Sequence, residues 1–202
     1  MNVSVTSAEN KPFTLHFGPV LRKLSDDDFF EFCQANQDWR IERTSDGDII
    51  IMPPTGGETG GRNFNLSVAF GIWAKFDGTG KGFDSSTVFS LPNGANRSPD
   101  LAWVTFLRWN ALTHDERLGF PPVCPDFNVE LRSHTDSLVT LQSKMQEYID
   151  NGCALGWLID PFEKKVYVYR PQAQVECLDN PATVSGEPLL KGFVLDVSEL
   201  WN

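Results

Sequence analysis

The segment that constrains this chain most is a strand–helix–strand unit in its C-terminal half. Phe127-Asn128-Val129-Glu130-Leu131-Arg132 alternates apolar and polar side chains, the period of a strand. A helix is predicted next, from Thr135 or Asp136 to Asn151. Leu138, Leu141, Met145, Tyr148 and Ile149 form its apolar stripe, and Gly152 stops it. Residues 155–160 give a second, almost wholly apolar strand. Two strands joined through a helix pair in parallel. The chain therefore needs a mixed sheet with helices on its faces, an α/β (α+β) arrangement.

The other elements fit around this unit. Ser25 followed by Asp26-Asp27-Asp28 reads as an N-cap with acids in the first turn of a helix ending near Asn36. Residues 39–44 and 48–52 flank Ser45-Asp46-Gly47, a hairpin signal. After the break at Pro53-Pro54-Thr55-Gly56-Gly57, a helix is predicted over residues 59–76. Its apolar residues (Phe64, Leu66, Val68, Phe70, Ile72, Trp73, Phe76) point nearly all round. Such a helix is expected to be covered on most sides, by a sheet and by a partner subunit, which makes a homodimer an expectation. Strands are predicted over residues 82–91, 99–104 and 127–132, with a short Trp109-containing helix between the last two. Residues 166–170 and 193–195 complete the strands, and 198–201 form a turn. The core order is helix, three strands, helix, strand.

A length of 202 residues suits one domain. Its core is expected at about 51–170, with a helix and hairpin over 21–52 before it and strands over 171–202 after it. Apolar residues make up 41%, enough for a real core. The net charge of -10 argues against a general polyanion binder, which usually carries a basic face. The acidity is uneven. Residues 21–50 hold 8 acids and 4 bases, and residues 171–202 hold 5 and 1, so each flank is at -4. Residues 51–170 hold 13 and 11, a net of -2. No apolar run approaches the ~18 residues of a membrane helix. The polar start, Met1 to Asn10, lacks the pattern of a signal peptide. Cys33, Cys124, Cys153 and Cys177 are widely spaced, which predicts free thiols in a reducing cytoplasm rather than a zinc site or disulfides.

The chemistry concentrates on two strands. Phe127, Val129 and Leu131 point one way, and Asp126, Asn128, Glu130 and Arg132 the other. A polar row on a central strand is costly unless it is paired or faces a cleft. Asp100 opens the otherwise apolar strand Leu101-Ala102-Trp103-Val104. If the strands are neighbours, Asp100 and Glu130 converge. Two close carboxylates repel unless one is protonated or a cation sits between them. Oxygen ligands of this kind suit Mg²⁺ or Mn²⁺, and such an ion polarises a phosphoryl group and activates water. The plainer reading is a strand edge of solvated acids.

Asp100, a gap and Glu130-Leu131-Arg132 together resemble the D…(D/E)-x-K core of the PD-(D/E)XK nuclease superfamily. More specifically, the chain is similar to the putative restriction endonuclease family abundant in cyanobacteria. The matching segments are Met52-Pro53-Pro54-Thr55-Gly56-Gly57-Glu58, Ser98-Pro99-Asp100-Leu101, Pro125 to Ser133, and Lys144-Met145-Gln146-Glu147-Tyr148 with Gly152. They run from about residue 20 to 170. The resemblance implies a restriction endonuclease-like fold and a metal-dependent endonuclease acting on DNA. It implies a metal held by Asp100, Glu130 and the backbone carbonyl of Leu131. It also implies a further acid, Glu58, at the entrance of the first core helix. The chain departs from the pattern at the superfamily lysine, where Arg132 stands. Arg cannot act as a base, but it can clamp a phosphate bidentately. Lys144, at the margin of its helix's apolar stripe, is a candidate replacement; the alternative is that it snorkels over the helix surface.

Other residues carry weaker signals. Asp126 is either a support of the site or a strand-start cap. His134 reads as a solvated loop residue more than a phosphate contact. Arg62 and Arg97 flank the site segments and are candidates for backbone contacts to nucleic acid. Gly56-Gly57 and Gly60-Gly61 do not form a phosphate loop, because no GKS or GKT ending follows. Two function classes result: a DNA endonuclease, or a non-catalytic binding or dimerisation module on a degenerate nuclease scaffold, which the acidic surface and Arg132 favour.

Overall fold

The computed structural model describes residues 12–17 and 24–201, so the polar start at Met1 to Asn10 lies outside the described residues. The first strand, β1 (Phe13–Leu15), precedes helix α1 (Asp26–Ala35). The N-cap is Ser25, whose Oγ accepts from the Asp28 N–H at 3.1 Å, with Asp26 to Asp28 in the first turn. The hairpin follows as β2 (Arg40–Arg43) and β3 (Ile49–Met52), and helix α2 spans Gly57–Asp77. The expected strand over 82–91 divides in two. Asp84 closes a turn by accepting from the Ser86 N–H at 3.1 Å, which ends β4 (Gly80–Asp84) and sends β5 (Phe89–Ser90) into a different sheet.

Next come β6 (Asn96–Arg97), β7 (Leu101–Thr105), helices α3 (Phe106–Ala111) and α4 (His114–Leu118), and β8 (Phe127–Leu131). Helix α5 (Leu138–Asp150) crosses to β9 (Leu155–Asp160). The chain ends with β10 (Lys165–Tyr169), β11 (Glu176–Asp179), β12 (Thr183–Ser185), β13 (Val194–Asp196) and a 3₁₀ turn at Ser198–Leu200.

A six-stranded mixed sheet, in the order β11-β10-β9-β8-β7-β4, forms the centre. The crossover through α5 makes β8 and β9 parallel, while the other neighbours in this sheet are antiparallel. Helix α2 covers one face: Leu66 and Phe70 pack with Trp103, Phe127, Val129 and Trp157. Helix α5 covers the other, where Met145 and Tyr148 pack with Ala102, Val104 and Leu158. Alternate residues of β7 thus serve opposite cores, as the strand period requires. Gly156 on β9 allows the close fit of α5, because a Cβ there would stand 2.5 Å from the Met145 methyl.

A second sheet, β1-β3-β2-β6-β5, carries the hairpin. Arg43 ties its strand β2 to β6 of the same sheet and to α1: it donates to Asn96 at 2.7 Å and to Asp26 at 2.6 Å. On α2 the sheet supplies the cover within the single chain, on one side, while Phe64, Val68, Ile72 and Phe76 are exposed.

Candidate active site

The antiparallel register of β7 and β8 pairs Leu101 with Val129. One step further along this ladder, Asp100 stands opposite Glu130, on the face that α5 covers. Neighbouring residues across antiparallel strands have Cβ atoms about 5 Å apart. Asp100 Oδ2 accepts the Leu131 N–H at 2.8 Å, which fixes its carboxylate against the end of β8. Lys144 reaches in from α5, with Nζ 2.8 Å from Glu130 Oε1 and 2.8 Å from Glu42 Oε1. Tyr148, one turn further on, donates its hydroxyl to Glu130 Oε1 at 3.4 Å.

Glu42 enters from β2 and is the functional candidate that the sequence reading missed. It is buried, accepts the Ser98 N–H at 2.9 Å and pairs with Arg97 at 3.1 Å. Arg97 in turn binds Glu147 of α5 at 2.6 Å. One signal could have found Glu42. Its hairpin partner is the continuous apolar run Ile49-Ile50-Ile51-Met52, in which Ile50 stands opposite Glu42. A strand apolar on both faces is covered on both faces. A charged residue on the strand beside it therefore needs a buried partner.

One cavity of about 840 Å³ lies between the hairpin sheet and α5, with Arg40, Glu42, Asp100, Glu130 and Lys144 in its wall. Burial pushes Glu130 up to about 8; Lys144 pulls the other way, and the carboxylates of Asp100 and Glu42 add to the rise. Burial also raises Asp100, opposed in part by the Leu131 N–H, Arg40 and Lys144. Burial works against Glu42 too, yet Lys144, Arg97 and the Ser98 N–H hold it down at about 2. The charge of Lys144 is disfavoured by its burial, but Glu130 and Glu42 outweigh this and hold it above the usual lysine range. The network contains four carboxylates (Glu42, Asp100, Glu130, Glu147) and three cations (Arg40, Arg97, Lys144). A proton on Glu130 balances it, whereas a divalent cation beside an ionised Glu130 would turn the balance to +1.

Among the described residues, no group of three or more His, Cys, Asp or Glu is placed to hold a metal. The donor set is the Asp100–Glu130 pair, with the Leu131 backbone beside it in the cavity wall. Magnesium is commonly held by one or two carboxylates and keeps several waters. Hard oxygen donors with a surplus negative charge fit Mg²⁺ or Mn²⁺ and do not fit a Cys/His metal.

The other expected residues lie elsewhere. Glu58 does not line the cavity: its side chain is 86% exposed and sits 3.6 Å from Arg62. The helix turns Thr59 and Asn63 to the cavity instead, because Leu66 and Phe70 fix its rotation against the sheet. Arg132 is also directed away. It lies just past β8, beside Asp160 in the parallel register, and its Nη1 pairs with Asp160 Oδ2 at 2.6 Å. Arg97 is buried in the Glu42 and Glu147 pairs rather than offered to a nucleic-acid backbone. Asp126 acts as a tie, accepting from the Thr105 N–H and pairing with Arg108, both at 2.8 Å. His134 is exposed at the cavity rim, with its ring edge-on to Phe162.

The family model Uma2, described as "putative restriction endonuclease", matches residues 26–198. This chain belongs to the Uma2 family. No curated protein matches it. The Uma2 fold seen here is similar to the crystal structure of a putative nuclease belonging to DUF820 from Anabaena variabilis. That likeness has a TM-score of 0.68 at 22% identity and covers 80% of this chain and 89% of that one. Taken in chain order, α2, β4, β7, β8, α5 and β9 supply the helix, three strands, helix and strand of a restriction endonuclease-like core, with β5 and β6 diverted into the hairpin sheet and α3 and α4 inserted between β7 and β8. Among the described residues, no helix is long and apolar enough to cross a membrane.

Proposed function

We propose that this Uma2 protein is a divalent-metal-dependent endonuclease that hydrolyses DNA phosphodiester bonds. The observation that carries the reading is the facing pair Asp100 and Glu130 in a cavity wall, with Lys144 2.8 Å from Glu130. Asp100, Glu130 and the Leu131 carbonyl would hold Mg²⁺ or Mn²⁺. When bound, the ion supplies a Lewis acid for the phosphoryl oxygen and a water of lowered pKa. The protein's own groups do the rest. The Leu131 N–H orients Asp100. Glu42 keeps Lys144 charged and at the pair, so that its ammonium is set where negative charge develops on the phosphate. Tyr148 steadies Glu130. Arg132 is already committed to Asp160, so Lys144 is the better candidate for the superfamily lysine. The free thiols suit a reducing compartment, and we place the protein in the cytoplasm.

The test is nicking of supercoiled plasmid, and cleavage of labelled single-stranded and duplex DNA, with Mg²⁺ and with Mn²⁺. Cleavage is expected to need the metal and to fall at least a thousandfold in Asp100→Asn and Glu130→Gln. If the parent cleaves none of these substrates with either metal, or the variants cleave as well as the parent, the catalytic reading is wrong. The binding-module reading then takes its place.

A further inference from the structure

Helix α2 buries one face against the sheet and leaves a row of large apolar side chains on the other. Phe64, Val68, Ile72 and Phe76 recur every four residues and are 67%, 43%, 58% and 86% exposed. At about 200 Å² for a whole Phe side chain, the stripe offers roughly 450 Å² of apolar surface. A patch of that size is on the scale of the largest apolar patch of a typical monomer, and such patches are often functional.

We infer that this stripe pairs with the same stripe of a second copy, the two α2 helices running antiparallel about a two-fold axis at Val68. The inference is independent of the nuclease reading. Three features of the helix fix the occupant and the direction. First, the pattern is complementary to its own reverse. Turning it about Val68 sets Phe64 against Ile72 and brings Phe76 over Gly60. A Cβ at Gly57, Gly60, Gly61 or Gly71 would meet nothing within 4 Å, so the surface there is open to a bulky residue. Second, the exposed charges lie at opposite ends: Glu58 is in the first turn and Lys75 in the last. An antiparallel pair brings the Glu58 of one copy within a turn of the Lys75 of the other, whereas a parallel pair would set like charges together. Third, the stripe used twice gives about 900 Å² of apolar area alone, which a polar rim around it would carry past the roughly 1,000 Å² that a specific interface should clear. Thr59 and Asn63, on the adjoining face of α2, line the catalytic cavity. The pairing therefore sets one cavity toward each end of the helix pair.

The experiment is light scattering on the full chain, followed by cross-linking. The parent is expected at twice the 22.6 kDa of one chain. Ile72→Glu with Phe76→Glu is expected to weaken association more than a hundredfold and give a folded monomer, with the parent's circular dichroism spectrum and a melting temperature that no longer rises with protein concentration. Glu58→Lys or Lys75→Glu alone should raise the dimer Kd roughly two- to fivefold, and the double exchange should restore it. In a Cys33→Ser, Cys177→Ser background, Val68→Cys should cross-link to a disulfide dimer under mild oxidation, and Val139→Cys on α5 should not. A parent that stays monomeric overturns the inference, as it would if another segment of the chain or a different protein occupied the stripe. So does a dimer that survives the double glutamate variant, or one in which Val68→Cys does not cross-link.

Discussion

Glu130 and Arg132 stand two residues apart at the end of β8, and their surroundings differ in kind. Arg132 meets one acid, Asp160, at 2.6 Å. The second oxygen of Asp160 accepts the N–H groups of Phe162 and Glu163 at 3.0 and 3.2 Å. One positive and one negative charge cancel, each oxygen of the acid is occupied, and the pair pins the turn between β9 and β10. Glu130 shares its one cation with Glu42 and faces a third acid, Asp100. Its cluster carries a surplus of negative charge and opens on a cavity. Burial is common to both places. Charge balance and access separate the structural ion pair from the site proposed to take up a cation.

The sharpest way to break this comparison is to neutralise one cation from each place. Lys144→Met is expected to lower cleavage at least a hundredfold, and Arg132→Met to leave it within about threefold, both measured as initial rates on the same DNA. The reverse result would make Arg132 the catalytic cation and the Lys144 contacts structural. The next largest effect falls on stability. Glu42→Ala removes the acid that Lys144 and Arg97 share and leaves the Ser98 N–H unpaired, while Glu130 and Glu147 stay in place, and it should cost about 1.5 to 3 kcal/mol in chemical denaturation. A cost under 1 kcal/mol would mean that Glu42 does not hold the cluster together.

A smaller effect is expected from pH, and it runs in opposite directions for two members of the cluster. Glu42 sits at about 2, below the ordinary carboxyl value of 4.5, so its contribution is full above 4.5 and lost as the pH falls through 2. Glu130 sits at about 8, so its contribution is full below 4.5 and lost as the pH rises through 8. Metal-free protein should therefore lose melting temperature between pH 5 and 9. Glu130→Gln, which has no proton to lose, should flatten that loss by several degrees. Identical profiles for parent and variant would show that the cluster does not hold Glu130 protonated.

Much of this was legible in the sequence, for local reasons. The apolar and polar alternation of residues 127–132 and the helix after it dictate the parallel step. The same alternation set Glu130 on the face where Lys144 lies. What was hidden depended on packing between distant segments. Glu42 joins the loop residue Ser98 and Lys144 of α5 to the hairpin sheet, and only the apolar run of its hairpin partner hinted that it was buried. Glu58 is turned to solvent because Leu66 and Phe70 fix the rotation of α2. A helix apolar nearly all round gives no sequence cue to which side meets the sheet. Arg132 found Asp160 through the register between β8 and β9, which no local pattern specifies. The uncovered side of α2 is the counterpart of that ambiguity, since the same pattern supplies a core face and an outward stripe.

The central claim is that Asp100 and Glu130 form one cation site, and calorimetric titration of the metal-free protein with Mn²⁺ tests it most directly. One Mn²⁺ per chain is expected to bind with release of protons near neutral pH, since Glu130 must ionise to ligate. Asp100→Asn and Glu130→Gln should each weaken binding at least tenfold while Arg132→Met leaves it unchanged. No binding by the parent, or equal binding by the Asp100 and Glu130 variants, would contradict the account.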